Sequence, residues 1–294
     1  MAIRPPATLG RLALFFVPLV LSNASQCLTY PFVASIISHG ALGVDELSSY
    51  AMGQSAMFLI GSVGAGMVTT GMMFCRSLEG RRNFVRLNAR LAAAAGVLML
   101  AVCLPGPDAL VFRGVYGLER PELVRIARNT LLACIPLQLN FFVRNPFLAE
   151  LLLARRSDLI NAATLVRVGI ACFFAWAFVR LGWTGWASGA LAMSVPAFLE
   201  TALTWRFAAR HGLAPPAEDP RGIDLSVPRQ LRFTLPLSLG GTLMWGTAIL
   251  DYFFIMRSAP PGLAPGAAHA TGLLNTSLHV LVFGIANPLA LSAM

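Results

Sequence analysis

Apolar runs of about 20 residues recur along the whole of this 294-residue chain, and that recurrence constrains its fold more than any other feature. A helix rising about 1.5 Å per residue needs about 20 residues to cross a hydrocarbon core near 30 Å thick. Eight stretches reach that length, near residues 12–37, 47–75, 88–112, 125–152, 159–181, 184–207, 231–256 and 268–294. Charged residues make up only 12% of the sequence, about half the roughly 25% of a soluble domain, and the mean hydropathy is +0.69. Disordered, collagen-like and disulfide-framework classes are excluded by the same figures. The remaining class is all-α, a polytopic membrane bundle of about eight transmembrane helices.

The net charge of +9 comes from arginine, since no lysine occurs anywhere in the chain. Nucleic-acid binding needs a basic stripe on a wettable surface, whereas these arginines sit mostly in the gaps between apolar runs. A cytoplasmic N-terminus puts 14 arginines on the inner side and 6 on the outer side, with Arg144 and Arg167 inside spans. The positive-inside rule therefore favours that orientation. The expected location is a bacterial inner (cytoplasmic) membrane, crossed many times. The first run follows Arg4 and Arg11 and continues through Phe32–Ile37, too long for a cleaved signal, so it reads as a retained helix. The five cysteines have neither metal-ligand spacing nor a paired pattern and read as small apolar residues.

Internal similarity carries the most information. Phe15-Phe16-Val17-Pro18-Leu19-Val20-Leu21 is echoed, 218 residues later, by Phe233-Thr234-Leu235-Pro236-Leu237-Ser238-Leu239, and Ala51-Met52-Gly53 by Ala270-Thr271-Gly272. Both copies begin on the inner side, as in a parallel repeat. The expected division is a six-helix half over 1–210, a cytoplasmic linker over 211–229 that contains Pro215-Pro216 and Pro220, and the first two helices of a second half over 230–294. On that symmetry about four helices of the second half are missing from the chain, and they are an expected partner.

The sequence resembles the multidrug/oligosaccharidyl-lipid/polysaccharide (MOP) flippase superfamily, which includes MATE exporters, lipid-linked sugar flippases and progressive-ankylosis-type proteins. The residues that carry the resemblance are Phe15 to Asn23, their echo at Phe233 to Leu239, the inner turn Leu153-Ala154-Arg155-Arg156-Ser157-Asp158 followed by Asn161, and the outer turn Gly182-Trp183-Thr184-Gly185-Trp186-Ala187-Ser188-Gly189. The resemblance implies a transporter working by alternating access between two helical halves. One departure stands out. MATE exporters often carry an acidic residue in the first helix, where this chain has none and offers Asn23, Gln26 and Tyr30 as polar groups.

Ionisable groups inside a membrane cost about 2.5–3.5 kcal/mol each at the helix centre, so each asks for a partner or a job. Arg144 falls near mid-membrane, on a polar stripe with Gln138, Asn140 and Asn145. It either meets an anionic substrate group or pairs with a carboxylate on a neighbouring helix. Arg167 lies nearer the inner surface, with Glu150 and Glu200 as candidate ion-pair partners. Asp251, in the outer part of the seventh helix, is either a protonatable or sodium-binding carboxylate or the ion-pair partner of Arg257. His279 is a proton carrier or a packing residue. Gly61, Gly64, Gly66 and Gly71 permit close helix approach in the second span.

The function expected from these features is a transporter or flippase that moves a small solute or a lipid-linked substrate, working as an exporter. Arg144, Asn140, Gln138, Asn23 and Gln26 are the candidate substrate-binding residues, and Asp251 and His279 the candidates for coupling to H+ or Na+. No further cofactor, metal or nucleic acid is called for. An intramembrane lipid-linked transferase would need clustered acids or histidines, and no such pairing occurs among the four histidines. A non-transporting membrane scaffold is the third reading.

Overall fold

The computed structural model describes Gly10, Val17 and residues 29–212, 216–219 and 221–258. All of their regular structure is helical. In chain order the helices are α1 (Thr29–Ser38), α2 (Val44–Gly61), α3 (Met67–Phe74), α4 (Leu78–Val102), α5 (Pro107–Ala109), α6 (Pro121–Ala133), α7 (Ile135–Leu153), α8 (Ser157–Leu181), α9 (Trp186–His211) and α10 (Val227–Ser258). Among the described residues five helices or near-continuous helix pairs are long and apolar enough to cross a membrane. With 26 residues, α9 matches them in length. The eighth expected span, 268–294, lies outside the described residues, as does most of the first.

Two of these spans are interrupted, each for a reason visible in the sequence. Between α2 and α3 the chain runs through a 3-10 turn at Ser62–Gly64, within the sequence Gly61-Ser62-Val63-Gly64-Ala65-Gly66, where helix propensity is weakest. Between α6 and α7 the break falls at Cys134, two residues before Pro136, which has no N–H to continue the helical ladder. The third span corrects its expected range of 88–112: it runs over Leu78–Val102, where the Ser77 hydroxyl caps the helix by accepting from the Gly80 N–H at 3.2 Å. Its first turns carry Arg81, Arg82, Arg86 and Arg90, so an apolar window finds the helix about ten residues late.

Contacts define two ends of the bundle. At one end Arg81 pairs with Glu150 at 2.5 Å, the Leu78 N–H reaches Pro216 O at 3.0 Å, and Arg221 donates to Met73 O at 2.7 Å. That end collects the arginine-rich loops and is called the basic end below. At the opposite end Arg120 pairs with Asp45 at 2.6 Å, and Arg257 donates to Gly114 O at 2.5 Å. Glu46, 5% exposed, accepts from the Trp186 N–H at 2.6 Å there. Its charge thus sits on the N-terminus of α9, where exposed amides favour an anion.

A buried core runs between α1, α2, α6 and α9, with Ile36, Met52, Met57, Ala127, Leu131 and Leu137 among its members. Large apolar side chains on the outside, including Leu98, Phe173, Trp176, Leu243 and Phe254, are more than half exposed. That pattern suits a surface solvated by lipid rather than water.

Candidate functional site: a cavity at the break in the second span

The 3-10 turn after α2 does more than bend a helix. It opens a cavity of about 180 Å³ between the second span, α7 and α10. The wall from the second span is Phe58, Gly61, Ser62, Gly64 and Ala65; α7 supplies Gln138, Phe141, Phe142 and Asn145; α10 supplies Trp245. The α7 residues fall at i, i+3, i+4 and i+7, one face of one helix. Phe58 and Trp245, both in the cavity wall, stack on each other at 4.4 Å and 15°. A Cβ on Gly61 would overlap the Gln138 amide, so glycine at the break is what lets that amide lie against the second span.

Below the cavity, toward the basic end, α10 is fastened to the second span by side chains spaced four apart. Thr242 Oγ1 meets Ser62 Oγ at 2.9 Å, and Thr234 Oγ1 meets Thr70 Oγ1 at 2.8 Å. Ser238 Oγ sits between them, accepting from the Gly66 N–H at 3.2 Å and donating to Val63 O at 2.7 Å. Gln230 closes the series on Gly80 O at 3.2 Å. At Gly66 a Cβ would come within 2.6 Å of Leu237 Cβ, so the two backbones meet where small residues allow it. The sequence reading missed this ladder, although positions 230, 234, 238 and 242 show its period.

Arg144, the arginine of the stripe, faces elsewhere. Arg144 pairs with Glu200 at 2.5 Å, and Arg167 reaches the same carboxylate oxygen at 3.1 Å. Thr164 donates to the other oxygen at 2.8 Å. The three charged side chains are 13%, 7% and 3% exposed in the order Arg144, Arg167, Glu200. Arg144 thus has the carboxylate partner that one of its two readings required, and Glu150 takes Arg81 instead of Arg167. Two guanidiniums share one carboxylate, so this buried cluster carries a net charge of +1. The Arg144 guanidinium also lies 5.4 Å from the Phe141 ring centre, placing the cluster just behind one wall of the cavity.

Of the candidate substrate-binding residues, Gln138 alone lines the cavity among those described. Asn140 turns to α9 and donates to Ala197 O at 3.1 Å. Asn145, on the stripe but not singled out, donates to Asn88 at 3.2 Å and borders the cavity. Asp251 lies on α10, half-buried beside the buried Tyr252. Arg257 sits 3.8 Å from the Phe253 ring centre and donates to Gly114 O and Val115 O. Asn23, Gln26 and His279 lie outside the described residues.

The connection between α9 and α10 is clasped under the basic end. Asp219 and Arg221 form a bidentate pair with contacts of 2.9 and 2.6 Å, and Arg221 caps the C-terminus of α3 at Met73 O. The hydrogen bonds from Arg221 hold the Asp219 carboxyl below the usual carboxylate range.

No protein-family model matches the sequence, and no curated protein matches it by sequence. Solved structures do. The eukaryotic MATE transporter AtDTX14 superposes with a TM-score of 0.69 at 16% identity, over 96% of this chain and 63% of that one. The fold is that of the MATE transporters of the MOP superfamily. An inward-facing multidrug resistance MATE family transporter gives a TM-score of 0.65 at 18% identity, over 89% of this chain and 60% of that one. A MOP superfamily transporter from Pyrococcus furiosus, described for the reverse polarity of its binding pocket, gives 0.56 at 16% identity, over 98% and 71%. The chain therefore spans less than two thirds of the first two MATE transporters it resembles.

Proposed function

We propose that this chain belongs to a membrane transporter of MOP type that moves a small solute or lipid-linked substrate by alternating access. On this reading the six-helix half moves against the half that α10 begins. The basic end and the N-terminus face the cytoplasm, in keeping with the arginine asymmetry, and net transport is outward. The observation that carries the reading is the cavity walled on one side by α2 and α7 and on the other by α10. A hydrogen-bonded seam closes it toward the basic end. Transporters of this class bind substrate near the bilayer midplane between repeats, at interrupted helices. Asp251 on α10 is the coupling carboxylate of this proposal.

Alternating access can be tested without knowing the substrate. Ser62→Cys is introduced into the full-length protein after its native cysteines are replaced, and an impermeant maleimide is applied to right-side-out and inside-out vesicles. Labelling from both sides is the expected result. Adding a Thr70→Cys/Thr234→Cys disulfide across the seam's 2.8 Å contact, which leaves the Ser62→Cys thiol free, should abolish labelling from the basic end alone. Labelling from one side only, or from neither, refutes the proposal.

A further inference from the structure

Gln138 turns an amide with no partner among the described residues toward the open space of the cavity. Its side chain lines the cavity and the residue is 4% exposed, yet among the described residues its amide makes no hydrogen bond. A primary amide has two donors and two lone pairs, all of them here available to an occupant of the cavity. Asn145 repeats the pattern in part: its N–H is spent on Asn88, while its carbonyl oxygen accepts from no described residue. Around these two amides the walls are aromatic, with Phe58, Trp245, Phe141 and Phe142.

We propose that the cavity is a recognition site for an uncharged, flat-faced ring whose rim carries both hydrogen-bond donors and acceptors, the chemistry shared by a sugar ring and a neutral nucleobase. The inference deepens the transporter reading and rests on it. Three features select this class. Among the described residues no ionisable side chain lines the cavity, so an anion finds no charged donor from them. The nearest charge belongs to Arg144, which already engages the Phe141 ring within a cluster of net charge +1. A cation in the cavity would therefore meet repulsion in a medium of low dielectric. Size is the third. A volume of about 180 Å³ is enough for one ring and well under the roughly 300–1,000 Å³ of drug-sized sites. On binding, the ring parts the Phe58–Trp245 stack and lies against the Trp245 face, while Gln138 and Asn145 bond its rim.

The test uses the full-length protein in nanodiscs with Trp245 as its sole tryptophan, every other tryptophan being replaced by phenylalanine. Emission is titrated with methyl β-glucopyranoside and uridine as neutral rings, tetraethylammonium as a cation and benzoate as an anion. A saturable change with at least one neutral ring is expected, and the two arms separate sugar from base. Gln138→Leu, which removes the unpaired amide without leaving a void, should weaken that binding about tenfold, the worth of one or two hydrogen bonds. Saturable binding of tetraethylammonium or benzoate with none of the neutral rings overturns the inference, and so does neutral-ring binding untouched by Gln138→Leu. Ser62→Cys labelling on the same preparation keeps the two claims apart. Two-sided labelling with no ring binding refutes the ring site and leaves the transporter; ring binding with one-sided labelling does the reverse.

Discussion

Replacing Glu200 by glutamine removes one negative charge and almost no volume. The carboxylate is 3% exposed and serves Arg144, Arg167 and Thr164 together. Without it the cluster rises from a net +1 to +2, and arginine cannot shed its proton to escape. Removing one member of a buried ion pair costs about 3–5 kcal/mol because an uncompensated charge stays behind. Both arginines contact the same oxygen, so the two losses overlap rather than add. At roughly 2–4 °C per kcal/mol, the melting temperature should fall by about 10 °C. A thiol-reactive dye reads this directly, since Cys75, Cys103 and Cys134 are buried. The control is Glu200→Gln with Arg144→Met, which returns the net charge to +1 and should recover at least half the loss. Melting of Glu200→Gln within about 2 °C of the parent would refute the reasoning. A double variant less stable than the single one would refute it too.

Three further outcomes follow from contacts elsewhere. Ser238→Ala strands the Gly66 N–H and Val63 O and should cost about 1–3 kcal/mol, whereas Thr234→Val should cost under about 1 kcal/mol; thermal melting of the two variants checks the order. Glu46→Gln removes the charge that caps α9 and should lower stability by about 1 kcal/mol, read in the same assay. The Asp219–Arg221 pair should be worth about 1 kcal/mol at pH 7. Because the folded carboxyl is depressed, that contribution is complete above the ordinary value near 3.9 and disappears as pH falls through the lower folded value. The melting difference between the parent and Asp219→Asn should therefore be constant from pH 8 to about 5 and vanish near pH 2.

Apolar periodicity made the spans legible, and the glycines of the second span marked where helices come close. Gln138 was readable as part of a stripe, because the seven-residue spacing of Gln138 and Asn145 is a local property of one helix. What a stripe faces is not local. Asn140 and Arg144 lie on the same helix as Gln138 but turn to α9, where their partners stand 57 and 56 residues away. Glu200 was legible as a candidate for Arg167, yet its capture of both arginines depends on how α7, α8 and α9 pack. The third span was misplaced because its first turns are charged and helical together, and a hydropathy window registers only the charge. The ladder on α10 went unseen for a different reason: serines and threonines in membrane helices commonly bond their own backbone, so a four-residue period of hydroxyls does not by itself imply a neighbour.

That same habit suits the ladder to an interface that must open. Lipid tails are as apolar as leucine, so helices in a membrane gain no hydrophobic drive to associate, and interhelical hydrogen bonds average only about 0.6 kcal/mol. Each hydroxyl of the Thr–Thr and Thr–Ser rungs also has a backbone acceptor in its own helix, so the member that donates across the seam can turn its proton there: Gln230 O lies 2.8 Å from Thr234, Gly66 O 2.9 Å from Thr70, Ser238 O 3.2 Å from Thr242 and Leu59 O 2.6 Å from Ser62. When such a rung separates, no hydroxyl is orphaned, and the seam opens at little cost. Ser238 differs, because its two partners are backbone groups at the break in the second span. In a continuous α-helix Gly66 N–H would bond to Ser62 O, and Val63 O would accept from Met67 N–H. Undocking α10 therefore favours a straighter second span, and a broken second span favours docking. In the proposed cycle Ser238 ties the closing of the seam to the bend that forms the cavity.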